Sequence, residues 1–260
     1  MYAATALDEL YENRAWVYDA AFSWDVQEEV SWLIDRFGGG PKRLLEPGCG
    51  SGRLMPAFAK RGVQVVGVDS SEAMLGRARR RMDEAGFPSP QLLQADMVEF
   101  EVGDQCDGAY CPINTFSYLR TDDHAWGHLE CVAACLPREA RYLIQLDLCR
   151  LDVYPFGLEA NWDVATPEGP MHCTWTGKSF DASTKIEVQV SRFEMMAGPR
   201  AGQVYEDLHR MRMWNWLDWQ TLIEASAFDQ VGAHDGSRRR VTPGPELDGQ
   251  ALTWHELQRT

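Results

Sequence analysis

Residues 44–54, which read LLEPGCGSGRL, constrain the fold of this chain more than any other part of its sequence. An apolar run ends at Glu46, three glycines follow at alternate positions (Gly48, Gly50 and Gly52), and an amphipathic segment comes next. Glycine is needed where a turn takes a positive φ or where a Cβ would block close approach to a ligand. The pattern therefore predicts a buried strand, a glycine loop beneath a ligand, and a helix whose first amides favour a carboxylate or phosphate.

The spacing of these glycines distinguishes the loop from a dinucleotide-binding fingerprint. A G-x-G-x-x-G pattern would place its third glycine where this chain has Arg53. A second predicted strand, residues 63–68, is followed by Asp69. A carboxylate at the end of a second strand, about 20 residues after such a loop, is typical of ribose binding. The loop and Asp69 together predict a nucleoside-containing ligand.

Strands and helices alternate through the first half of the chain. Predicted strands cover residues 43–46, 63–68, 90–94, 106–111 and 140–146, and predicted helices cover about 6–37, 55–61, 71–85 and 122–135. Such alternation predicts an α/β fold in which a doubly wound, mostly parallel seven-stranded sheet binds ligands at the carboxyl ends of its strands.

The periodicity changes after residue 155. Three segments with alternating polar and apolar residues, 172–177, 185–195 and 205–213, predict an inserted antiparallel β ribbon. A helical pattern returns at 216–227, and two closing strands are predicted near 230–234 and 252–258. Residues 235–250 contain several prolines and glycines and are interpreted as a surface loop.

The charge of the chain limits the partners that we expect. Its 260 residues carry a net charge of −14, whereas a general nucleic-acid binder is normally basic. We therefore expect a small-molecule partner and no nucleic acid. The basic residues within 77–81 are interpreted as a solvated helix face, and 238–240 as part of a polar loop.

The cysteines and the hydropathy of the chain indicate a reducing compartment. The seven cysteines include no C-x-x-C pair, and Cys131 and Cys135 are spaced as packing positions on a helix, so no metal site is expected. A basic stretch followed by an apolar core is absent from residues 1–12, and no apolar run is long enough for a membrane span. These features predict a cytoplasmic location without membrane attachment, and they leave the oligomeric state open.

The glycine loop and Asp69 resemble the first two motifs of the class I S-adenosylmethionine-dependent methyltransferases. The likeness runs from about residue 10 to the end of the chain, and its specific motifs lie within 42–119. It implies S-adenosylmethionine as the cofactor, with Asp69 accepting both ribose hydroxyls. The cofactor-binding residues that it implies are Tyr18, Glu46, Gly48, Cys49, Gly50, Gly52, Asp69, Ser70, Met74, Asp96, Met97 and Cys111.

The resemblance assigns a role to several of these side chains. Glu46 would organise the loop near the methionine end of the cofactor, while Ser70 and Met74 would lie against the adenine. Asp96 would accept the adenine amino group, with Met97 beside the ring. Two alternatives remain open, since an Asp after a strand is often a turn residue and both methionines also suit a core.

The motif that would face the sulfonium and the methyl acceptor reads Cys-Pro-Ile-Asn at 111–114. It lacks the Asn-Pro-Pro-Tyr or Asp-Pro-Pro-Tyr signature of the branches that methylate nucleic acids or protein amides. The chain resembles instead the small-molecule N- and O-methyltransferases, which include amino-sugar dimethyltransferases and glycine-methylating enzymes. On this basis Asn114, Phe116 and Tyr118 are the predicted acceptor residues.

The catalytic residues are not fixed by the sequence. A neutral amine needs no general base, whereas a hydroxyl acceptor benefits from a histidine or carboxylate. His172 and His209 in the ribbon and Asp147 at the end of the fifth strand are the candidates, together with His124. A surface or structural role is the alternative for each histidine.

The same resemblance divides the chain into four parts. These are an N-terminal helical lid that includes Tyr11 and Tyr18–Asp19 (1–41), a cofactor-binding α/β core (42–150), the inserted ribbon as acceptor cover (151–213), and a closing helix with strands (214–260). The expected activity is methyl transfer to a nitrogen or oxygen of a small molecule. The alternatives are a non-catalytic S-adenosylmethionine-binding protein and, disfavoured by Arg53, a nicotinamide-dependent oxidoreductase.

Overall fold

An eight-stranded, mostly parallel sheet forms the centre of the fold in the computed structural model, which describes residues 9–154 and 159–260. Its strands are β1 Arg43–Pro47, β2 Gln64–Asp69, β3 Gln91–Gln94, β4 Gly108–Cys111, β5 Arg141–Gln145, β10 Phe228–His234, β11 Arg240–Val241 and β12 Trp254–Arg259. They are arranged in the order β11-β10-β12-β5-β4-β1-β2-β3. The first five strands are parallel to one another, and β12 pairs antiparallel with both β5 and β10.

Six helices accompany this sheet in the described residues. They are α1 Ala15–Ala21, α2 Gln27–Arg36, α3 Met55–Ala59, α4 Glu72–Glu84, α5 Asp122–Ala134 and α6 Trp216–Glu224, with short 3₁₀ turns at Thr115–Tyr118 and Pro245–Leu247. Neighbouring residues of one strand pack into different cores. Leu44 belongs to the cluster with Phe58 and Tyr110, whereas Leu45 belongs to the cluster with Phe116. Both faces of the sheet are therefore covered, as the doubly wound prediction requires.

The direction of winding reverses between β1 and β4. From β1 the chain adds β2 and β3 on one side, and β4 then pairs with the other side of β1. Loops that leave the carboxyl ends of two such strands diverge to opposite faces and open a crevice, which is where ligands bind in α/β sheets. The glycine loop after β1 and the 111–114 motif after β4 border this switch point.

The ribbon forms a second sheet of four antiparallel strands in the order β6-β7-β8-β9. Its strands are β6 Glu159–Thr166, β7 Gly169–Asp181, β8 Ile186–Met195 and β9 Val204–Arg212. The three predicted segments match β7, β8 and β9. The edge strand β6 was not predicted, because most of its residues are exposed and it lacks a clear apolar face.

The α/β prediction with an inserted ribbon is confirmed, with three corrections in detail. The sheet has eight strands rather than seven, because two residues of the predicted loop 235–250 pair with β10 as β11. The predicted segment 6–37 is divided into α1 and α2, and its start, including Leu7, lies outside the described residues. The basic run 77–81 also differs from its predicted solvated face, because Arg77 and Arg81 form ion pairs with Asp19. No helix within the described ranges is both long and apolar enough to cross a membrane.

Candidate functional site

The glycine loop after β1 has the backbone that its sequence predicts. Gly48, Gly50 and Gly52 have φ angles of +67°, +52° and +66°, a region in which a side chain is strained. A Cβ on Gly48 would also lie 2.5 Å from the Cγ2 methyl of Thr115, in the turn after β4. The loop therefore packs closely against the other side of the switch point, and glycine is required there by protein contacts as well as by conformation.

Asp69 holds this loop to the end of β2. One carboxylate oxygen accepts a hydrogen bond from the Gly50 amide at 2.7 Å, and the other accepts from the Ser71 amide at 2.9 Å. Ser71 caps α4, since its hydroxyl accepts from the Met74 amide. Burial raises the pKa of Asp69, and the two amide hydrogen bonds oppose that rise. The side chain is half-buried, and each oxygen retains a lone pair for a further hydrogen bond.

Glu46 lies beneath the loop as a buried carboxyl group. Its Oε2 accepts a hydrogen bond from the Tyr110 hydroxyl at 2.8 Å. Burial raises its pKa to about 8, against the opposing effects of that hydrogen bond and of the Arg53 charge. Arg53 itself forms a two-pronged ion pair with Glu29 of α2, at 3.0 and 3.2 Å. Arg53 thus fixes the helix that follows the loop to the N-terminal part of the chain.

Four of the remaining predicted cofactor residues lie around the loop. Met74 and Met97 both lie next to it. Met74 Cε is 3.4 Å from the position of a Cβ on Gly50, and Met97 Sδ is 3.8 Å from the position of a Cβ on Gly48. Ser70 is exposed at the end of β2, and Asp96 is an exposed turn residue whose carboxylate accepts from the Val98 amide. Their predicted contacts with adenine therefore remain predictions, and for Asp96 the turn role is also fulfilled.

The two cysteines predicted at the cofactor site have buried side chains. Cys49 packs against the backbone of β2 at Gly67, which agrees with the expectation that only a small side chain fits there. Cys111 is fully buried in the core beneath the crevice, where burial raises its pKa to about 12 and the Tyr142 hydroxyl is its hydrogen-bond partner. The structure directs the Cys111 side chain away from the crevice, so only its backbone borders the site.

The N-terminal segment lies over the glycine loop and is attached to α4. Asp19 accepts two hydrogen bonds from Arg77, at 2.8 and 2.6 Å, and pairs with Arg81 as well. The interpretation of these arginines as a solvated face was wrong, because a run of basic residues does not show what packs against it. The ring of Tyr18 lies 3.8 Å from the position of a Cβ on Gly50. The segment thus covers the predicted cofactor loop.

The end of β4 has an unusual backbone that brings two strand ends together. Ile113 and Asn114 are consecutive non-glycine residues with φ angles of +48° and +60°. The Asn114 side-chain oxygen accepts from the amide of Asp147, which follows β5. The Asp147 carboxylate in turn accepts from the Leu252 amide, and burial raises its pKa to about 6. Backbone of this kind persists where surrounding contacts enforce it, commonly at functional sites.

Phe116 and Tyr118 have different environments, although both follow the 111–114 motif. Phe116 is fully buried among Trp214, Trp219 and His128, with ring centroids 5.4 to 5.7 Å away. The prediction that Phe116 contacts an acceptor was wrong, because its ring points into the core. The Tyr118 hydroxyl lies instead 2.6 Å from the Tyr11 hydroxyl and 2.9 Å from Nδ1 of His209.

His209 joins the ribbon to this turn. Its Nε2 lies 2.8 Å from the Ser191 hydroxyl, and its ring stacks on Trp175 at 4.2 Å between centroids. Burial lowers the pKa of His209 to about 3, so the imidazole is neutral at physiological pH. A neutral imidazole has one donor and one acceptor nitrogen, which matches its two hydroxyl neighbours.

The ribbon buries polar residues on the face that carries His209. Along β8 the buried and half-buried positions alternate, and the buried positions of its first half are polar. The buried polar residues of this face are Glu187, Gln189, Ser191, Asp207 and His209. Part of this set is linked, because Trp175 donates to Gln189 and Gln189 donates to Glu187, each at 2.6 Å. An apolar-inside rule assigns these residues to the solvent face, so sequence reasoning missed all of them except His209.

The other histidine candidates lie away from this cluster. His172 alternates with the buried residues Met171 and Cys173, so it projects from the opposite face of the ribbon, where Asp163 pairs with it at 2.7 Å. His124 is exposed in the first turn of α5. Of the three candidates His124, His172 and His209, only His209 is hydrogen-bonded to Tyr118. Among the described residues, no group of three or more His, Cys, Asp or Glu side chains is arranged to hold a metal ion.

A family model described as a methyltransferase domain matches residues 44–137. The ubiquinone biosynthesis O-methyltransferase of Pseudomonas aeruginosa (strain LESB58) is 32% identical over 114 residues, 42% of this chain and 49% of that protein. The corresponding protein of Pseudomonas savastanoi pv. phaseolicola (strain 1448A / Race 6) is 34% identical over 114 residues, again 42% of this chain and 49% of that protein. The chain therefore spans about half the length of the curated relatives it matches, and the matched family region contains the glycine loop and Asp69.

Solved structures resemble nearly the whole chain. An S-adenosylmethionine-dependent methyltransferase from Clostridium acetobutylicum ATCC 824 superimposes with a TM-score of 0.74 at 15% identity, covering 95% of this chain and 98% of that one. S-adenosylmethionine-bound CalS10, an amino pentose methyltransferase from Micromonospora echinaspora, gives 0.74 at 18% identity, covering 94% and 97%. At these identities the likeness establishes the fold, including the ribbon.

Proposed function

We propose that this chain, which belongs to the class I S-adenosylmethionine-dependent methyltransferases, transfers a methyl group from S-adenosylmethionine to a nitrogen or oxygen atom of a small molecule. The observation that carries the proposal is the bond between the Gly50 amide and the Asp69 carboxylate at the switch point of the sheet. It sets a glycine loop and a diol-binding group side by side, as a nucleoside ligand requires.

The charges around the crevice also suit this cofactor. Three carboxyl groups lie at or just after the carboxyl ends of different strands, at the same edge of the sheet: Glu46, Asp69 and Asp147. Burial raises the pKa of each of them. Carboxyl groups that are costly to ionise alone are stabilised in the ionised form by a nearby cation. S-adenosylmethionine carries a sulfonium and an ammonium group, so the cofactor would supply such charges.

The chain's own residues would act mainly by alignment. When bound, S-adenosylmethionine supplies a methyl group that is already electrophilic, so a nucleophile needs to be held in line and water excluded. We assign the cofactor-binding core to residues 42–150, the lid to 1–41, the acceptor cover to the ribbon within 151–213, and the closing elements to 214–260. Tyr118 and Asn114 border the acceptor side, between the strand ends and the ribbon.

For an acceptor that must lose a proton, we favour Tyr118 with His209. The Tyr118 hydroxyl lies between the Tyr11 phenol and Nδ1 of His209, so it can take up the acceptor proton only as it passes its own proton to that nitrogen, and the low pKa of His209 limits this path to a transient relay. His172 lies on the opposite face of the ribbon, and Asp147 is held by the Leu252 amide. An amine that arrives neutral would need no such path, and both acceptor types fit this proposal.

The first test is calorimetric titration of the purified chain with S-adenosylmethionine and S-adenosylhomocysteine. We expect micromolar binding of both, followed by methyl transfer in a screen of small amines and hydroxyl compounds. Tight cofactor binding without any transfer would favour a non-catalytic binding protein. Binding of a reduced nicotinamide in place of both ligands would contradict the proposal. We do not expect it, because Arg53, which occupies the position of the third glycine of a dinucleotide fingerprint, is buried against Glu29.

We expect the affinity for S-adenosylhomocysteine to increase between pH 6 and pH 8. The pKa of Glu46 is about 8, so its carboxyl group is mostly protonated at neutral pH in the free protein. A ligand ammonium nearby favours the ionised form, so binding releases a proton and strengthens as pH rises, by at most about tenfold per pH unit. Titrations in buffers of different ionisation enthalpy measure the proton release directly.

The matched variant for this pH effect is Glu46→Gln, which keeps the size and the acceptor oxygen for Tyr110. We expect weaker binding, without the proton release assigned to Glu46. If Glu46→Gln releases as many protons as the wild type, another group is responsible and the assignment of Glu46 to the methionine end is wrong.

A further inference from the structure

A continuous series of hydrogen bonds joins the predicted ribose carboxylate to the ribbon. It runs Asp69–Ser71–Tyr11–Tyr118–His209–Ser191. We infer that Tyr11 is a positioning residue through which cofactor binding orders the acceptor side of the site. This inference rests on the proposed function, because it takes the ligand of Asp69 to be the cofactor and the inner face of the ribbon to be the acceptor cover.

The cofactor side of the series is built on the backbone of Tyr11. The Ser71 amide donates to Asp69 at 2.9 Å, and the Ser71 hydroxyl donates to the Tyr11 carbonyl at 2.6 Å. The same hydroxyl accepts from the Met74 amide, so Ser71 is held on both sides. Ligand hydroxyls on Asp69 would fix this carboxylate, and Ser71 would thereby hold the Tyr11 backbone.

The acceptor side of the series is built on the Tyr11 phenol. Its hydroxyl lies 2.6 Å from that of Tyr118, and burial raises the pKa of Tyr11, so the phenol stays protonated. Tyr118 then contacts His209, whose other nitrogen contacts Ser191 on the next strand. Trp175 stacks on the imidazole and holds the ring of His209 against Tyr118. Ordering Tyr11 would therefore order the turn after β4 together with β8 and β9.

The Tyr11 hydroxyl can be removed without detaching the segment. Arg14 donates to the Glu206 carbonyl at 3.0 Å, Trp162 donates to the Ala21 carbonyl at 2.8 Å, and Asp19 holds Arg77 and Arg81. These contacts do not involve the phenol. Tyr11→Phe therefore breaks the series at one bond while leaving the segment docked. The variant separates an effect carried by the hydrogen-bond series from a simple loss of packing.

The experiment measures amide hydrogen exchange of β8 and β9 with and without saturating S-adenosylhomocysteine. In the wild type we expect the ligand to slow exchange in these strands by at least about fivefold, the lower range of coupling between sites. In Tyr11→Phe we expect the dissociation constant to stay within about threefold of wild type, a change below about 0.7 kcal/mol, while the slowing in β8 and β9 is lost. Tyr205→Phe is the matched control, because its hydroxyl contacts Gln203 and Arg200, neither of which belongs to the series.

A second variant and a spectroscopic readout keep the test independent of folding. Tyr118→Phe should also abolish the slowing, and it should change the ¹⁵N signal of Nδ1 of His209, whereas Tyr205→Phe should leave both unchanged. If S-adenosylhomocysteine binds but does not slow exchange in the ribbon, or if Tyr11→Phe keeps the slowing, the inference is overturned and the proposed function stands. If the ligand does not bind to the wild type, the proposed function itself fails.

Discussion

Asp69→Asn should weaken the binding of S-adenosylhomocysteine by on the order of 100-fold or more. Two ribose hydroxyls that donate to one carboxylate form charge-assisted hydrogen bonds, each contributing about 1.5–3 kcal/mol. The variant loses the charge, and its amide group turns a donor toward either the Gly50 or the Ser71 amide, each of which needs an acceptor. The loss of about 3 kcal/mol or more corresponds to at least two powers of ten in the dissociation constant measured by calorimetry.

A ligand variant distinguishes lost ribose contacts from a loosened loop. The wild type should bind the 2′-deoxy analogue of S-adenosylhomocysteine more weakly than the parent ligand, whereas Asp69→Asn should bind the two about equally. Asp83→Asn, the same change at an exposed position of α4, should match the wild type with both ligands. If Asp69→Asn retains the full preference for the 2′-hydroxyl, this carboxylate does not contact the ribose.

The part of the site that could be predicted is the part specified by local sequence. An apolar run followed by glycines at alternate positions fixes both the strand and the backbone of the loop after it, and the positive φ angles of Gly48, Gly50 and Gly52 follow. Asp69 was found for a similar reason, because parallel strands of a doubly wound sheet end at the same edge. Neither prediction needed knowledge of which distant residues would meet.

The acceptor side depends on contacts that no local pattern contains. Tyr11, Tyr118 and His209 come from three segments separated by about a hundred residues each, and their hydroxyl and imidazole groups meet only in the folded chain. The ribbon adds a second obstacle. A period of two shows that β8 has two faces, but it does not show which face is buried. Glu187, Gln189 and Ser191 are buried, opposite to what apolar burial alone predicts.

Buried polar residues of this kind lower the stability of the fold unless they are hydrogen-bonded, so their presence calls for a functional reason. A buried amide or hydroxyl without a partner is destabilising, and here Ser191 is linked through His209 to Tyr118, while Gln189 is linked to Glu187 and Trp175. Local rules of protein folding are most often broken at functional sites. The inversion along β8 thus supports the assignment of this face of the ribbon to the acceptor.

Phe116→Ala should lower the free energy of unfolding by about 3–5 kcal/mol, the usual cost of removing a fully buried phenylalanine. The ring is 0% exposed and packs against Trp214, Trp219 and His128. Its loss leaves a cavity between the turn after β4 and the helices α5 and α6. Urea unfolding followed by circular dichroism measures the change directly.

The size of this effect separates a core residue from an acceptor contact. A phenylalanine that lined an acceptor site would be partly solvated in the free protein, so its removal would change stability little and acceptor binding strongly. Phe180→Ala, a change at a half-buried ring on β7, provides the comparison and should lower stability less. An unfolding free energy for Phe116→Ala within about 1 kcal/mol of wild type, the ordinary range for a single substitution, would place Phe116 back on the acceptor side. Tyr118, two residues later, would then share that surface with it.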